Sequence, residues 1–418
     1  MKSFNKVTEM KIYTLKRNFV ALIAIAAALS VPEFGAASTR NVSRAATMGT
    51  NSNATSGITS YCAPSPASSY VVNVMNEGAT GNGKTDDTAA IQKAINLVAG
   101  TGGTVLIPNG TYLIDTAKSL KLAGDMTLAL SIGAELVAIA NNLTNYNVIL
   151  IDGVANVSVV GGSLQGDRAT HLGATGEWGM GIMVLNSQNV YLDTVNSANM
   201  WGDGFYIGDS SVNVTVCNVN SDNNRRQGLT VTSANGVLIE NSTFQNTNGA
   251  YPSAGIDIEP NNGEVVNNVR ILNSKFAGNW GSGIQSSYNS GSNPSTTNTT
   301  GLTISGNSIT NNGVVGAYSA AIYLTRQTNA VITNNLVKNN VQDGVVLTYY
   351  TVGTLVSGNT VAGSGYGNTV DKHIGNGVLM YYDSTNNTIL NNTVTGNIVN
   401  IFDLVGGNTI TGNTVNSQ

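Results

Sequence analysis

Trp201-Gly-Asp-Gly-Phe-Tyr-Ile207, Arg225-Arg-Gln-Gly-Leu-Thr-Val231 and Ala254-Gly-Ile-Asp-Ile-Glu-Pro260 repeat one phrase, a glycine leading into alternating apolar and variable residues. Alternation with period two marks a half-buried strand, because successive side chains leave opposite faces. Phe205 and Ile207, Leu229 and Val231, and Ile256 and Ile258 are expected to face a core, with Tyr206, Thr230, Asp257 and Glu259 facing out. If the phrases stack, one wall gathers Asp203, Asp257 and Glu259 with Arg225, Arg226 and Gln227.

The same spacing extends along the chain. Apolar residues recur in equivalent settings at Leu192, Val216, Ile239, Ile271, Ile304, Ile332, Val356, Ile389 and Ile410, with gaps between 21 and 33 residues. A base period of about 22 residues with extra residues in some turns indicates a parallel β-helix, whose coils bury apolar side chains only by stacking on neighbours. Asn307, Asn335, Asn359, Asn392 and Asn413 each stand three residues after one of these positions, so stacking would align their amides as a ladder. Asn also tolerates the left-handed backbone of a sharp corner, and the recurring Asn-X-Thr and Asn-X-Ser triplets are read as turn geometry rather than glycosylation. A second column runs through Gly181, Gly204, Gly228, Gly255, Gly283, Ala321, Gly344 and Gly377. The expected fold is all-β, a single-stranded right-handed parallel β-helix over residues 71–418.

A short N-terminal capping helix is expected from Thr88 to Val98: Asp86 and Asp87 supply an N-cap, and Ile91, Ala94, Ile95 and Val98 form one apolar face. The stretch Glu77-Gly-Ala-Thr-Gly-Asn-Gly-Lys-Thr-Asp-Asp-Thr-Ala-Ala-Ile-Gln92, followed by Gly103-Thr-Val-Leu-Ile-Pro-Asn-Gly-Thr-Tyr112, resembles the opening of the pectate-lyase-like superfamily. That group includes polygalacturonase-like hydrolases, lyases, mannuronan epimerases and phage tailspikes. Asn82 departs from the aspartate usual there. The resemblance implies the fold; members sharing this opening differ in reaction.

Residues 1–37 read as a signal peptide, with Lys11, Lys16 and Arg17, an uncharged run from Phe19 to Val31, and small residues to Ser38. Secretion to the periplasm or cell exterior is therefore expected, with no membrane association after cleavage. Residues 38–70, rich in Ser, Thr, Ala and Asn, read as a flexible linker. Five of the 19 basic and two of the 23 acidic residues lie in 1–37, which leaves 14 against 21, a formal charge of −7. An acidic chain with 10% charged residues is a poor match for phosphate backbones, so nucleic acid is excluded as a partner. Cys62 and Cys217, far apart in sequence, are assigned no chemistry, with Cys217 read as a packing residue.

Extra residues fall at Asp167 to Trp178, Gln245 to Ser253, Tyr288 to Thr300, Gly313 to Ser319 and Gly363 to Ile374. Such insertions emerge as loops over one face and commonly build a binding surface. The first brings Asp167, Arg168, His171, Glu177 and Trp178 beside the polar wall.

Asp257 and Glu259, two apart on a strand, leave the same face about 6.5 to 7 Å apart. An inverting glycosidase holds its acid and base about 6.5 to 9.5 Å apart to admit a water, so this spacing favours inversion. Asp203 is expected to assist, while Arg168, His171, Glu177, Trp178, Trp201, Tyr206, Arg225, Arg226 and Gln227 bind a polysaccharide or oligosaccharide. The resemblance adds two contrasts. Mannuronan epimerases carry Asp-Pro-His where this chain has Tyr206-Ile-Gly208, and the Asp-Asp and Gly-His-Gly signatures of polygalacturonase-like hydrolases are missing. The alternative enzyme is a lyase on a uronate polymer, with Arg225 or Arg226 as base; calcium enters only with that reading, and no metal site is assigned. A non-catalytic carbohydrate-binding or adhesion β-helix is the alternative from a different class.

Overall fold

The computed structural model describes residues 62–287, 299–314, 319–365 and 375–416. The leader expected over residues 1–37 and the linker as far as residue 61 lie outside the described residues. So do most of the insertions at 288–300, 313–319 and 363–374.

The described residues form a right-handed parallel β-helix within one compact unit, Thr50–Gln418. Most coils feed one strand into each of three parallel sheets, of 15, 13 and 11 strands among the described residues. The apolar column holds rung by rung: Leu192 pairs with Val216, then Ile239, Ile271, Ile304, Ile332, Val356, Ile389 and Ile410. All but Ile410 are buried. A strand of three to seven residues cannot bury its own side chains, so each rung's contribution, about 1.5 to 3 kcal/mol for one fully buried Val, Leu or Ile, exists only in the stack.

The glycine column has a steric cause. None of its glycines has a left-handed backbone. A Cβ on Gly228 would lie 2.4 Å from the Gly255 carbonyl, and one on Gly255 would lie 2.6 Å from that of Gly283. Coils approach too closely there for a methyl group, except where Ala321 is accommodated in full burial.

The asparagine ladder is also present. Asn307 donates to the Asn335 Oδ1 from its backbone N–H at 2.9 Å and its amide at 3.0 Å, and the pattern repeats from Asn335 to Asn359, Asn392 and Asn413. The left-handed corner falls one residue earlier, at Gly306, Asn334, Gly358, Asn391 and Gly412, and not on the ladder residue as expected. Backbone strain and amide pairing are thus divided between neighbours. A second ladder, from Asn279 through Asn312 to Asn340, lines another corner.

The helix Thr88–Val98 buries Ile91, Ala94, Ile95 and Val98 against the same core as the first coils. Asp86 accepts the Thr88 N–H at 3.0 Å, whereas the Asp87 carboxylate turns back to the N–H groups of Thr80 and Gly81 at 2.7 and 3.1 Å. Only one of the two aspartates therefore caps through its side chain.

Cys62 and Cys217 form a disulfide, which corrects the assignment of Cys217 to packing alone. The Asp193 carboxylate, fully buried, accepts the N–H groups of Cys62 and Ala63 at 2.8 and 3.1 Å. From Cys62 onward, the stretch expected as a flexible linker is tied to the first sheet by a covalent bond and two charge-assisted hydrogen bonds. No helix among the described residues is long and apolar enough to cross a membrane.

Candidate functional site

The three opening phrases become adjacent strands of the third sheet, Phe205–Gly208, Leu229–Val231 and Ile256–Ile258. Their apolar residues are fully buried in the core. The alternate positions form an outward column in strict register: Met183, Tyr206, Thr230, Asp257, Gln285 and Tyr323. Glu259 follows two residues after Asp257, so both carboxylates leave the outer face.

Outward does not mean solvated. Asp203, Gln227, Thr230 and Asp257 are all fully buried, and Arg226 is 9% exposed. These side chains cover one another. Arg226 donates through Nη1 to Asp203 Oδ2 at 3.1 Å and through Nη2 to Glu259 Oε1 at 2.5 Å. Thr230 adds a hydrogen bond to Asp203 at 2.8 Å. Asp257 accepts from Gln227 at 3.1 Å, Gln285 at 3.3 Å and Ser287 at 3.2 Å. Glu259 is the exception, its side chain 24% exposed. Asp203, Arg226, Asp257 and Glu259 thus share one cluster, as the stacking required.

The electrostatics follow from that enclosure. Burial pushes Asp203 up to about 7, against the opposing pull of Arg226 and the Thr230 hydrogen bond. Burial, then the charge of Glu259, raises Asp257 well above the usual carboxylate range. Burial alone would lower Arg226, but Asp203 and Glu259 outweigh it and hold the guanidinium more firmly protonated. A buried carboxyl group raised above the usual range therefore stands two residues from one clamped by a cation.

A second cluster adjoins the first through Trp201 and Arg225. His171 Nδ1 lies 2.8 Å from Asp167 Oδ2, with the imidazole fully enclosed and stacked on Trp201 at 4.0 Å. The Arg225 guanidinium lies over the Trp201 ring at 3.9 Å and donates to the Gly176 carbonyl at 2.9 Å. Asp167 also accepts from Tyr146 and from Asn141. Arg168 donates to the Asn223 carbonyl at 2.7 Å and to Asn248 at 2.6 Å. The Asp167–Trp178 insertion therefore packs onto the coils through residues expected to bind sugar. Trp201 is closed in by His171 and Arg225, while Trp178 is 51% exposed and Glu177 half-buried. Tyr206 is half-buried, its hydroxyl 3.1 Å from that of Thr232.

Sequence reasoning missed Thr230, Gln285 and Ser287 as partners of the carboxylates. Extending the register of Asp257 one strand each way names the first two. An open groove of about 500 Å³ lies elsewhere, on the first sheet between Thr215, Leu238 and Arg270.

Three parallel sheets stacked coil on coil define a pectate-lyase-like β-helix protein. The chain belongs to the rhamnogalacturonase A/epimerase, pectate lyase-like family, whose pattern matches residues 71–367. Among curated relatives, the uncharacterized protein YclG of Bacillus subtilis (strain 168) is 26% identical over 251 residues, 51% of this chain and 43% of YclG. The mannuronan C5-epimerase AlgE5 of Azotobacter vinelandii is 25% identical over 232 residues, 51% of this chain and 22% of AlgE5. The chain therefore spans less than half the length of these relatives. Among solved structures, the A-module of the Azotobacter vinelandii mannuronan C-5 epimerase AlgE6 superposes with a TM-score of 0.64 at 20% identity, over 83% of this chain and 99% of the module. PfbA, a surface adhesin of Streptococcus pneumoniae, gives 0.63 at 18% identity, over 83% and 91%. Both likenesses concern the fold.

Proposed function

We propose that this chain is a secreted enzyme that hydrolyses a polysaccharide on its third sheet, with Asp257 as general acid and Glu259 as general base. The observation that carries this reading is the pairing of a fully buried Asp257, whose burial raises its carboxyl above the usual range, with a Glu259 that reaches solvent and is pinned by Arg226. Asp257 gives its proton to the glycosidic oxygen as the bond to the anomeric carbon breaks. Glu259 takes a proton from the water that attacks that carbon, and the i,i+2 spacing makes inversion the expected outcome. Half-buried Gln285, which donates to Asp257, is the side chain the sugar must displace. The family and the mannuronan epimerases among the relatives support a polysaccharide as substrate. The Cys62–Cys217 disulfide supports an oxidising compartment outside the cytosol.

Elimination by an arginine base is disfavoured. Arg226 is committed to two carboxylates, and Arg225 to a carbonyl and the Trp201 ring.

The test is a screen of the purified protein on acidic and neutral polysaccharides, followed by Asp257→Asn and Glu259→Gln on the responding substrate. Each substitution is expected to lower turnover at least 100-fold, with reducing ends formed and no ultraviolet absorbance of an unsaturated uronide. Unchanged turnover in both variants overturns the assignment. Binding with no turnover on any substrate favours the adhesion reading, and appearance of the absorbance favours elimination.

A further inference from the structure

The outward column that holds Asp257 changes character toward the C-terminus. Beyond Gln285 it continues through Tyr323, Val346, Leu379 and Phe402. Val346 and Leu379 form a small apolar cluster outside the main core, against which Tyr323, Tyr381 and Phe402 pack. Tyr349 stacks on Tyr382 with centroids 4.8 Å apart, and Tyr381 lies 4.5 Å from Tyr382. Tyr349, Tyr350 and Tyr382 remain 41, 39 and 49% exposed, so these rings are not core.

The backbone beneath them is a separate observation. Tyr349, Tyr350 and Tyr382 have φ of 44, 64 and 47°, in the left-handed region that this fold elsewhere fills mostly with Asn and Gly. A bulky side chain there is unfavourable, and Asn or Gly would make the same corner without strain. Strain retained at an exposed position points to a role for the side chain beyond folding. Here it holds neutral aromatic faces at the surface.

We propose that Tyr349, Tyr381 and Tyr382 form a distal subsite on which sugar rings stack, and that the bound chain crosses the third sheet from there to Asp257 and Glu259. This inference rests on the polysaccharide reading above and assigns the direction and reach of the ligand. From the Ile256–Ile258 strand to the Asn376–Met380 strand is four stacking steps, about 19 Å at about 4.8 Å per step. An extended chain of several sugars spans that distance, whereas a disaccharide at the carboxylates does not. The column between the two ends is continuous in register, and the half-buried Tyr323 shares a hydrogen bond with Tyr381. Aromatic rings suit the apolar faces of pyranoses, and the absence of charge from the platform's three tyrosines suits stacking rather than ion pairing.

Binding separates this proposal from the catalytic one. Oligosaccharides of increasing length from polygalacturonate and from alginate are titrated by calorimetry into the Glu259→Gln protein, which is not expected to consume them. Affinity should rise with length in one series. Tyr349→Ala and Tyr382→Ala should each weaken the longest fragment about tenfold, about 1.4 kcal/mol, and leave the shortest unchanged. Tyr349→Asn should raise the melting temperature by relieving the corner while still weakening the longest fragment, and unweakened binding in that variant counts against the subsite. Long fragments that bind equally well to the tyrosine variants overturn the subsite, even if Glu259→Gln abolishes hydrolysis. Tyrosine-dependent binding in a protein that hydrolyses nothing upholds the subsite and removes the hydrolytic reading. If neither series binds at any length, the subsite is overturned.

Discussion

Arg226 reaches across one strand to place its Nη2 2.5 Å from Glu259 Oε1, and so clamps the one carboxylate of its cluster that meets solvent. Its other terminal nitrogen holds Asp203, which meets no solvent at all. One guanidinium therefore serves an exposed anion and a buried one.

Replacing Arg226 with Gln removes that cation from both. Breaking a buried pair by deleting one partner costs about 3 to 5 kcal/mol, since it leaves a charge without compensation. The expected loss at pH 8, read by urea denaturation, lies at the lower end of that range because Asp203 can take up a proton instead. At pH 5 the loss should shrink further. An equal loss at both values would show that Asp203 does not titrate in response.

In the wild-type protein the contributions of Asp203 and Asp257 to stability should grow as the solution is acidified. Asp203 is raised to about 7 in the folded state from an ordinary 3.8, and Asp257 is raised in the same direction. Between those limits the folded chain binds more protons than the unfolded one, so the contribution of each group falls as pH rises through the window. One such proton changes stability by at most about 1.4 kcal/mol per pH unit. Asp203→Asn should flatten the profile between pH 4 and about 7. A profile identical to wild type would place the titration elsewhere.

Asn359→Ala cuts the amide ladder at a fully internal rung. Its Oδ1 accepts both the backbone N–H and the side-chain amide of Asn335, each at 2.9 Å, and its own amide reaches Asn392 and the Ile332 carbonyl. The substitution leaves a buried N–H without a partner, a loss of about 2 to 4 kcal/mol when the lost bonds and the desolvation are taken together. Chemical denaturation measures it. A change below about 0.5 kcal/mol, the level of ordinary surface substitutions, would mean that the ladder adds nothing to stability.

Replacing both Cys62 and Cys217 with Ser should destabilise the fold by about 2 to 5 kcal/mol. The tie closes a loop of 155 residues in sequence separation, and its loss frees the segment whose N–H groups satisfy buried Asp193. Proteolysis near residue 62 should accelerate in the same variant. Unchanged cleavage would mean that the Asp193 hydrogen bonds suffice to hold the segment.

The architecture was legible because its cause is local and repeated. Each Gly-apolar-variable-apolar phrase states which side chains face in, and the recurrence of Leu192, Val216 and Ile239 states that the phrases stack. The co-location of Asp203, Arg226 and Asp257 followed from register alone. What the text could not carry were relations set by distance in sequence and by mutual cover. The Cys62–Cys217 bond joins positions that no short-range pattern connects. The burial of Asp257 depends on Gln227, Gln285 and Ser287 closing around it, which alternation by itself reads as an exposed face. The partial cover of Trp201 has the same cause, because it comes from His171 on an insertion whose path a repeat pattern does not define.

Paired strands keep their partners whether 21 or 33 residues separate successive rungs of the apolar column. Lengthening a connection is therefore invisible to the next coil, so the fringe of loops can be rewritten while the wall behind it stays untouched.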